Sequence, residues 1–329
     1  MKPNSIFQFF LAGGGILFIL SQQLSAQTVG ADTSWKKGGY GSLQFNQVAF
    51  SHWAAGGENS LSLTTLGYAY ANYTKGKNYW HNSAFLNYGF IQSQYVRGIR
   101  KNTDLIDLNS KAGREFKGNF YYTALVNFRS QFAPGYIYPN DSDVVSRFLA
   151  PAYLTASAGI EWKPYSYLTF YFSPATGRFI FVASQDIANI VINGASQWGN
   201  PPAVYDTLGN LVKNGGKVRT EFGALFTASF NKEVVKNVTV NTRLQLFNNY
   251  TDADRLNRRN IDVFYDLFIN MNVNKYITAS FFTNIIYDHN VTIADLDKNG
   301  QPTGTAGPRT QIKEGMGVGL TYTFGDPVK

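Results

Sequence analysis

Few side chains in this sequence suit covalent or acid–base chemistry. Histidine, the residue whose ordinary pKa lies nearest neutrality, occurs only as His52, His81 and His289, and cysteine is absent. Thiolate nucleophiles and disulfide staples are thereby excluded, and zinc held by several imidazoles or catalysis by a His base has very few candidates. Ser-His hydrolysis has one foothold, His81 and Ser83 on one face of a strand, but a two-residue step separates them by about 6.5 to 7 Å. Carboxylates offer more. Counting outward from the turn Asn274-Lys275-Tyr276 sets Asp262 opposite Asp288, beside His289, with Asp266 deeper on the same face. Two carboxylates facing each other across paired strands, with Cβ atoms about 4.5 to 5.5 Å apart, repel. Compensation is expected from Arg258 or Arg259 of the adjoining loop, from a divalent cation, or from an acid–base pair with His289 as the base. A second run, Asp295, Asp297 and Asn299, matches the first half of a calcium loop, but Ala306 stands where the distal Glu belongs. Asn299-Gly300 equally reads as a hairpin tip, so neither a metal nor a cofactor is assigned.

Long strands must position these residues. From about Gly39 onward the apolar period is two, not 3.6: Phe222, Ala224, Phe226, Ala228 and Phe230 alternate with Glu221, Gly223, Leu225, Thr227 and Ser229, and Val238 to Leu246 and Ile261 to Val273 repeat the pattern. Soluble strands usually last about 5 or 6 residues, whereas a tilted strand crossing a bilayer needs about 9 to 11 in the apolar slab alone. The fold class is therefore all-β, a transmembrane antiparallel β-barrel of about 12 strands, within a range of about 10 to 14. Its seventh strand is expected over Tyr167 to Ser173, followed by a long loop, Pro174 to Lys217, that carries Arg178. Short connections such as Thr74 to Asn78 alternate with long ones such as Ala133 to Pro151 and His289 to Glu314. That alternation describes short periplasmic turns and long external loops.

The inward face then collects both signs of charge. It receives Asp107, Lys111, Glu115, Arg129, Gln131, Glu161, Arg219, Glu221, Arg243, Asp262 and Asp266. Counting from the turn Lys117-Gly118-Asn119 pairs Asp107 with Arg129 across adjacent strands. Side chains of this length can fill a narrow barrel as ion pairs. The last strand turns Gly315, Gly317 and Gly319 inward instead, which is expected to leave one side of the lumen open.

Composition agrees with an exported barrel. Aromatic residues make up 16% and charged residues only 15%, against roughly 25% charged in soluble domains. Residues 1–26 read as a signal peptide, 27–38 as a periplasmic segment, 39–325 as the barrel and 326–329 as a periplasmic tail, so both termini are expected in the periplasm. Outside the first of these no apolar run approaches the ~18 residues of a spanning helix. The net charge of +8 suits lipopolysaccharide phosphates met by external arginines, not nucleic acid. The expected partners are outer-membrane lipid, lipopolysaccharide and a solute or protein. The function expected is a small or gated channel or transport component for polar or anionic solutes. Alternatives are a structural or adhesive barrel acting through its external loops, and an outer-membrane hydrolase.

The segment Trp53-Ala-Ala-Gly56-Gly57-Glu58-Asn59-Ser60, with Trp35-Lys-Lys-Gly38-Gly39, Phe45-Asn46-Gln47, Arg100-Lys101-Asn102-Thr103-Asp104 and Ser110-Lys111-Ala-Gly113, resembles an uncharacterised family of Bacteroidota outer-membrane β-barrel proteins known only as a domain of unknown function. Its sharpest motif is Trp-x-x-Gly-Gly-x-Asn-Ser, here Trp53, Gly56, Gly57, Asn59 and Ser60; His52 stands where that family has Asn. The resemblance implies location and fold, and no chemistry.

Overall fold

Strands that are apolar outside and polar inside leave no unpaired edge only when their sheet closes on itself. In the computed structural model, which describes residues 34–48, 59–93, 98–138, 141–296 and 302–326, twelve antiparallel strands do close. They are β1 (Trp35–Val48), β2 (Ser60–Lys75), β3 (Asn78–Ser93), β4 (Arg100–Lys117), β5 (Phe120–Ser130), β6 (Ala152–Tyr165), β7 (Leu168–Phe181), β8 (Val218–Val235), β9 (Val238–Asn249), β10 (Asp262–Asn272), β11 (Ile277–Tyr287) and β12 (Gln311–Gly325). Neighbours in sequence are neighbours in the sheet, and β12 returns to β1 through pairs running from Gly38↔Gly325 to Phe45↔Val318. No described helix is long and apolar enough to cross a membrane.

Turn chemistry sets the registers. Gly118 and Asn119 both take positive φ, +33° and +63°, which the two-residue hairpin turn requires and which other residues resist. A bulge between Glu115 and Lys117 absorbs one residue, so Lys117 faces Phe120 while Asp107 still faces Arg129, as counted. At the β10–β11 hairpin the Val273 amide donates to the Ile277 carbonyl at 2.9 Å. Val263 then lies opposite Tyr287 and Asp266 opposite Asn284, the register expected from Asn274-Lys275-Tyr276.

The outward face is apolar, as in β12, where Met316, Val318, Leu320, Tyr322 and Phe324 are all exposed. Rings gather toward the turn end: Phe116 stacks on Tyr122 at 4.3 Å, Phe120 on Trp162 at 5.8 Å, and Trp162 on Phe170 at 5.5 Å. Amphipathic rings concentrate where an apolar slab meets water.

Three elements depart from the sequence reading. β1 begins at Trp35, ahead of residue 39. β7 does not stop at Ser173 but runs to Phe181, because Pro174 sits in a bulge where the register against β8 shifts between Leu225↔Ser173 and Gly223↔Thr176. A proline at a bulge loses no ladder hydrogen bond. Gly159 lies across the same irregularity, where an added Cβ would meet the Phe172 carbonyl at 2.1 Å. The loop that follows, 182–217, has its own small core: Val182, Ile187 and Ala188 are fully buried with Ala150 of the neighbouring long loop, against Val144, Ile190 and Trp198. It caps the mouth, since Gly199 presses on the Arg219 guanidinium so closely that an added Cβ would lie 1.9 Å from it.

Candidate functional site in the barrel lumen

Alternation turns every second side chain inward, and closure makes distant strands face each other. Three charged layers result. At mid-height Arg129 of β5 donates through Nε to Asp107 of β4 at 2.8 Å and through Nη2 to Asp266 of β10 at 3.0 Å. Arg243 of β9 answers from the opposite wall, donating to Asp266 at 2.9 Å and to Asp107 at 3.3 Å. Asn127 and Asn284 donate to the remaining oxygens of Asp107 and Asp266, at 2.6 and 2.8 Å. Two guanidinium groups and two carboxylates thus form a charge-neutral bridge across the lumen.

The mouth layer centres on Arg178, which is 2% exposed. It donates to Glu221 of β8 and Asp262 of β10, lies 3.7 Å from Asp288, and stands 4.2 Å over the Phe247 ring. Arg219 donates to Asp288 at 3.0 Å, and its Nε lies 3.4 Å from Glu221. Three carboxylates therefore share two guanidinium groups. This resolves the expected Asp262–Asp288 repulsion, though not by the route expected. Arg258 instead donates to the Asp252 carbonyl at 2.9 Å, and the compensating charge comes from β7 and β8. The His289 ring turns to the Tyr287 hydroxyl at 3.1 Å and only its backbone N–H reaches Asp262, also at 3.1 Å, so it is not aimed at the carboxylates as a base.

The layer toward the turn end surrounds Glu161, which is wholly buried. Lys111 and the Tyr79 hydroxyl donate to it, and Lys163 lies 3.1 Å away. Lys163 also sits 3.6 Å from the Tyr79 ring centroid and 4.6 Å from that of Tyr121, a cation–π arrangement. The His81 ring lies tilted beside that of Tyr79, with centroids 4.6 Å apart. Glu115 forms no ion pair among the described residues. Between the layers Leu125, Tyr171, Leu225 and Phe247 form an apolar cluster on the β5–β9 wall.

The glycine face is not open. The Phe282 ring lies over Gly315, where an added Cβ would meet it at 2.7 Å, and Gln44 lies over Gly317, where an added Cβ would meet its amide oxygen at 3.2 Å. Glycine there makes room for inward side chains from both neighbouring strands.

Near the long-loop end a polar recess of about 240 Å³ opens among Lys101, Thr103, Asp104, Gln131, Ser146 and Lys313. Lys101 donates to Asp104 at 2.9 Å, to Gln131 at 3.1 Å and to the Ala133 carbonyl at 2.7 Å, while Lys313 donates to Thr103 at 2.5 Å.

Trp53, Gly56 and Gly57 lie outside the described residues; Asn59 immediately precedes β2. Asp297 and Asn299 also lie outside them. Asp295 is engaged by the Arg309 guanidinium at 2.7 Å and the Thr305 hydroxyl at 2.7 Å. These hydrogen bonds, the arginine's first, hold its carboxyl down at about 2. A depressed carboxylate contributes stability above its ordinary pKa of 3.8 and loses it as pH falls through about 2. Arg309→Ala should return the Asp295 titration, followed by carboxyl NMR shifts, toward 3.8; an unmoved titration would break this assignment. Among the described residues no cluster of three or more His, Asp or Glu could hold a metal.

Sequence reasoning missed Arg178, Tyr79, Lys163, Phe247 and the two asparagines. The signal for Arg178 was present: Thr176, Arg178 and Ile180 alternate with Gly177, Phe179 and Phe181, and the first three are buried.

Residues 45–136 match a family described as a protein of unknown function (DUF3078). No curated protein matches the chain. Similar solved structures include an outer membrane channel from Pseudomonas putida F1, 10% identical over 88% of this chain and 96% of that one, with a TM-score of 0.38. The NanC porin is 8% identical over 85% and 98%, TM-score 0.36. The translocator domain of autotransporter NalP from Neisseria meningitidis is 9% identical over 90% of each chain, TM-score 0.36. Part of the chain, residues 45–136, is thus similar to a family of unknown function, and the described residues form a closed twelve-stranded antiparallel barrel.

Proposed function

We propose that the protein is a narrow, gated conduit of the outer membrane for small polar or anionic solutes, with its turns and both termini on the periplasmic side. One observation carries this reading, the neutral Arg129–Asp107–Arg243–Asp266 bridge between opposite walls. Pairs that are mutually satisfied at rest can exchange for solute groups or water without stranding a buried charge, which a dry apolar plug cannot do. Lys101 and Lys313 in the mouth recess supply the cationic entrance that favours anions. Exposed apolar side chains and stacked rings on the outer wall supply the bilayer contact. Reconstitution into planar bilayers tests the proposal. Wild type should give small, discrete conductance steps, and deleting 185–216 should raise their size or frequency by roughly twofold by opening the mouth. Bilayers that stay silent with both proteins would sink it.

A second reading, adhesion through the external loops, is favoured by one feature. In the cap, the hairpin of Val204–Tyr205 and Leu211–Lys213 carries Leu208 at its tip, 86% exposed, with Val212 at 67%. An apolar tip outside the bilayer suits a protein partner. Silent bilayers together with hairpin-dependent capture on a cell surface would favour this reading.

A further inference from the structure

The outer wall holds a feature that a solute pathway does not use. Ala112, Ala124 and Ala158 are directly paired across β4, β5 and β6, so three strands present only methyl groups in one row. The adjacent row is large: Tyr122, Ile160 and Phe172 pair in turn and are 61%, 45% and 51% exposed. The step between the rows leaves an apolar groove of about 770 Å³, bounded on the β7 side by Pro174. Arg114 stands at the groove and pairs with Tyr122, on the outward face of β4 and two residues farther from the turn than Phe116. Among the described residues neither a carboxylate nor a hydrogen-bond acceptor takes up its guanidinium. An outward arginine among apolar side chains in a bilayer is costly unless an anion shares its charge.

We propose that this groove binds one phospholipid of the turn-side leaflet, with an acyl chain along Ala112, Ala124 and Ala158 and its phosphate on Arg114. The proposal rests on the membrane reading above. Charge and shape select the occupant. A planar guanidinium donates to two phosphate oxygens at once, and the groove beside it is lined almost wholly by carbon. The Phe116–Tyr122 stack beside Arg114 belongs to the ring-rich end of the wall, where headgroups lie.

Native mass spectrometry of the full chain in detergent micelles tests this with three probes: phosphatidylglycerol, a diacylglycerol with the same chains, and glycerol phosphate. Wild type should retain one phosphatidylglycerol per barrel, diacylglycerol about tenfold more weakly, and glycerol phosphate not at all. Arg114→Gln should weaken phosphatidylglycerol about tenfold and leave diacylglycerol unchanged. Ala124→Phe, which fills the groove, should weaken both lipids, and Lys232→Gln, a distant basic residue, should change neither. Folding of each variant is checked by heat-modifiable migration on gels. Equal phosphatidylglycerol retention in all variants, effective competition by glycerol phosphate, or a lipid-free pair of barrels would overturn the proposal. A wild-type chain that does not fold into micelles would overturn the membrane reading, and this proposal with it.

Discussion

Arg129→Ala should raise single-channel conductance roughly threefold and shift ion preference toward cations. The lost side chain is the only one that joins Asp107 to Asp266 from the β5 side, so half of the mid-height bridge disappears. Arg243 alone then faces two carboxylates, at 2.9 and 3.3 Å, leaving one negative charge in excess. The fold should survive, because the lumen stays wet enough to hydrate the freed carboxylate: Arg129 is 21% exposed and Asp266 is 27% exposed. Arg243→Ala should act in the same direction. The neutral change Asp266→Asn, which keeps volume but removes an acceptor charge from both arginines, should shift preference toward anions. Planar-bilayer recordings with reversal potentials in a salt gradient read all three. Unchanged conductance and selectivity in folded Arg129→Ala and Arg243→Ala would mean that the bridge does not lie on the solute path.

Arg178→Met should be the most destabilising single substitution of the lumen. Arg178 and its partners Glu221, Asp262 and Asp288 are each at most 6% exposed by side chain. Removing one partner of a buried ion pair costs about 3–5 kcal/mol because the other charge is left without compensation. Arg219 would then face three carboxylates by itself, with Glu221 and Asp288 already in its reach. Arg178→Lys should recover little, since a point charge cannot serve Glu221 and Asp262 together as the guanidinium fork does. Asp262→Asn should be mild by comparison, because it brings the layer to two positive and two negative groups. The temperature at which the folded gel band converts to the unfolded one measures this order. A band shift at the same temperature for wild type and Arg178→Met would refute the account of the mouth layer.

The two predictions fall on different properties, conductance in one and stability in the other, for one physical reason, hydration. The mid-height bridge is partly wet, so breaking it frees space and charge for ions. The mouth layer is dry and shielded by the cap, whose Gly199 lies against Arg219, so breaking it costs folding energy.

Much of this architecture is legible in the sequence, because the properties concerned are local. Period-two alternation, strand lengths beyond those of soluble sheets and the alternation of short and long connections point to an antiparallel barrel of about twelve strands, and closure of the sheet fixes the number at twelve. Hairpin pairing is equally local: counting from Gly118-Asn119 and from Asn274-Lys275-Tyr276 places Asp107 opposite Arg129 and Asp266 opposite Asn284. Tertiary structure alone decides what meets across the lumen. Arg129 reaches Asp266 over 137 positions of sequence and Arg178 reaches Asp262 over 84. Those contacts depend on the summed register of every intervening strand, bulges included, and no local pattern carries that sum. The bulge at Pro174 shows the limit most sharply. It reads in the sequence as the end of a strand and the start of an external loop, yet it only kinks β7 and returns Arg178 to the interior as the central cation of the mouth. Likewise, inward Gly315 and Gly317 read as a gap. Whether that gap stays open depended on side chains from the two neighbouring strands, Phe282 and Gln44, which close it.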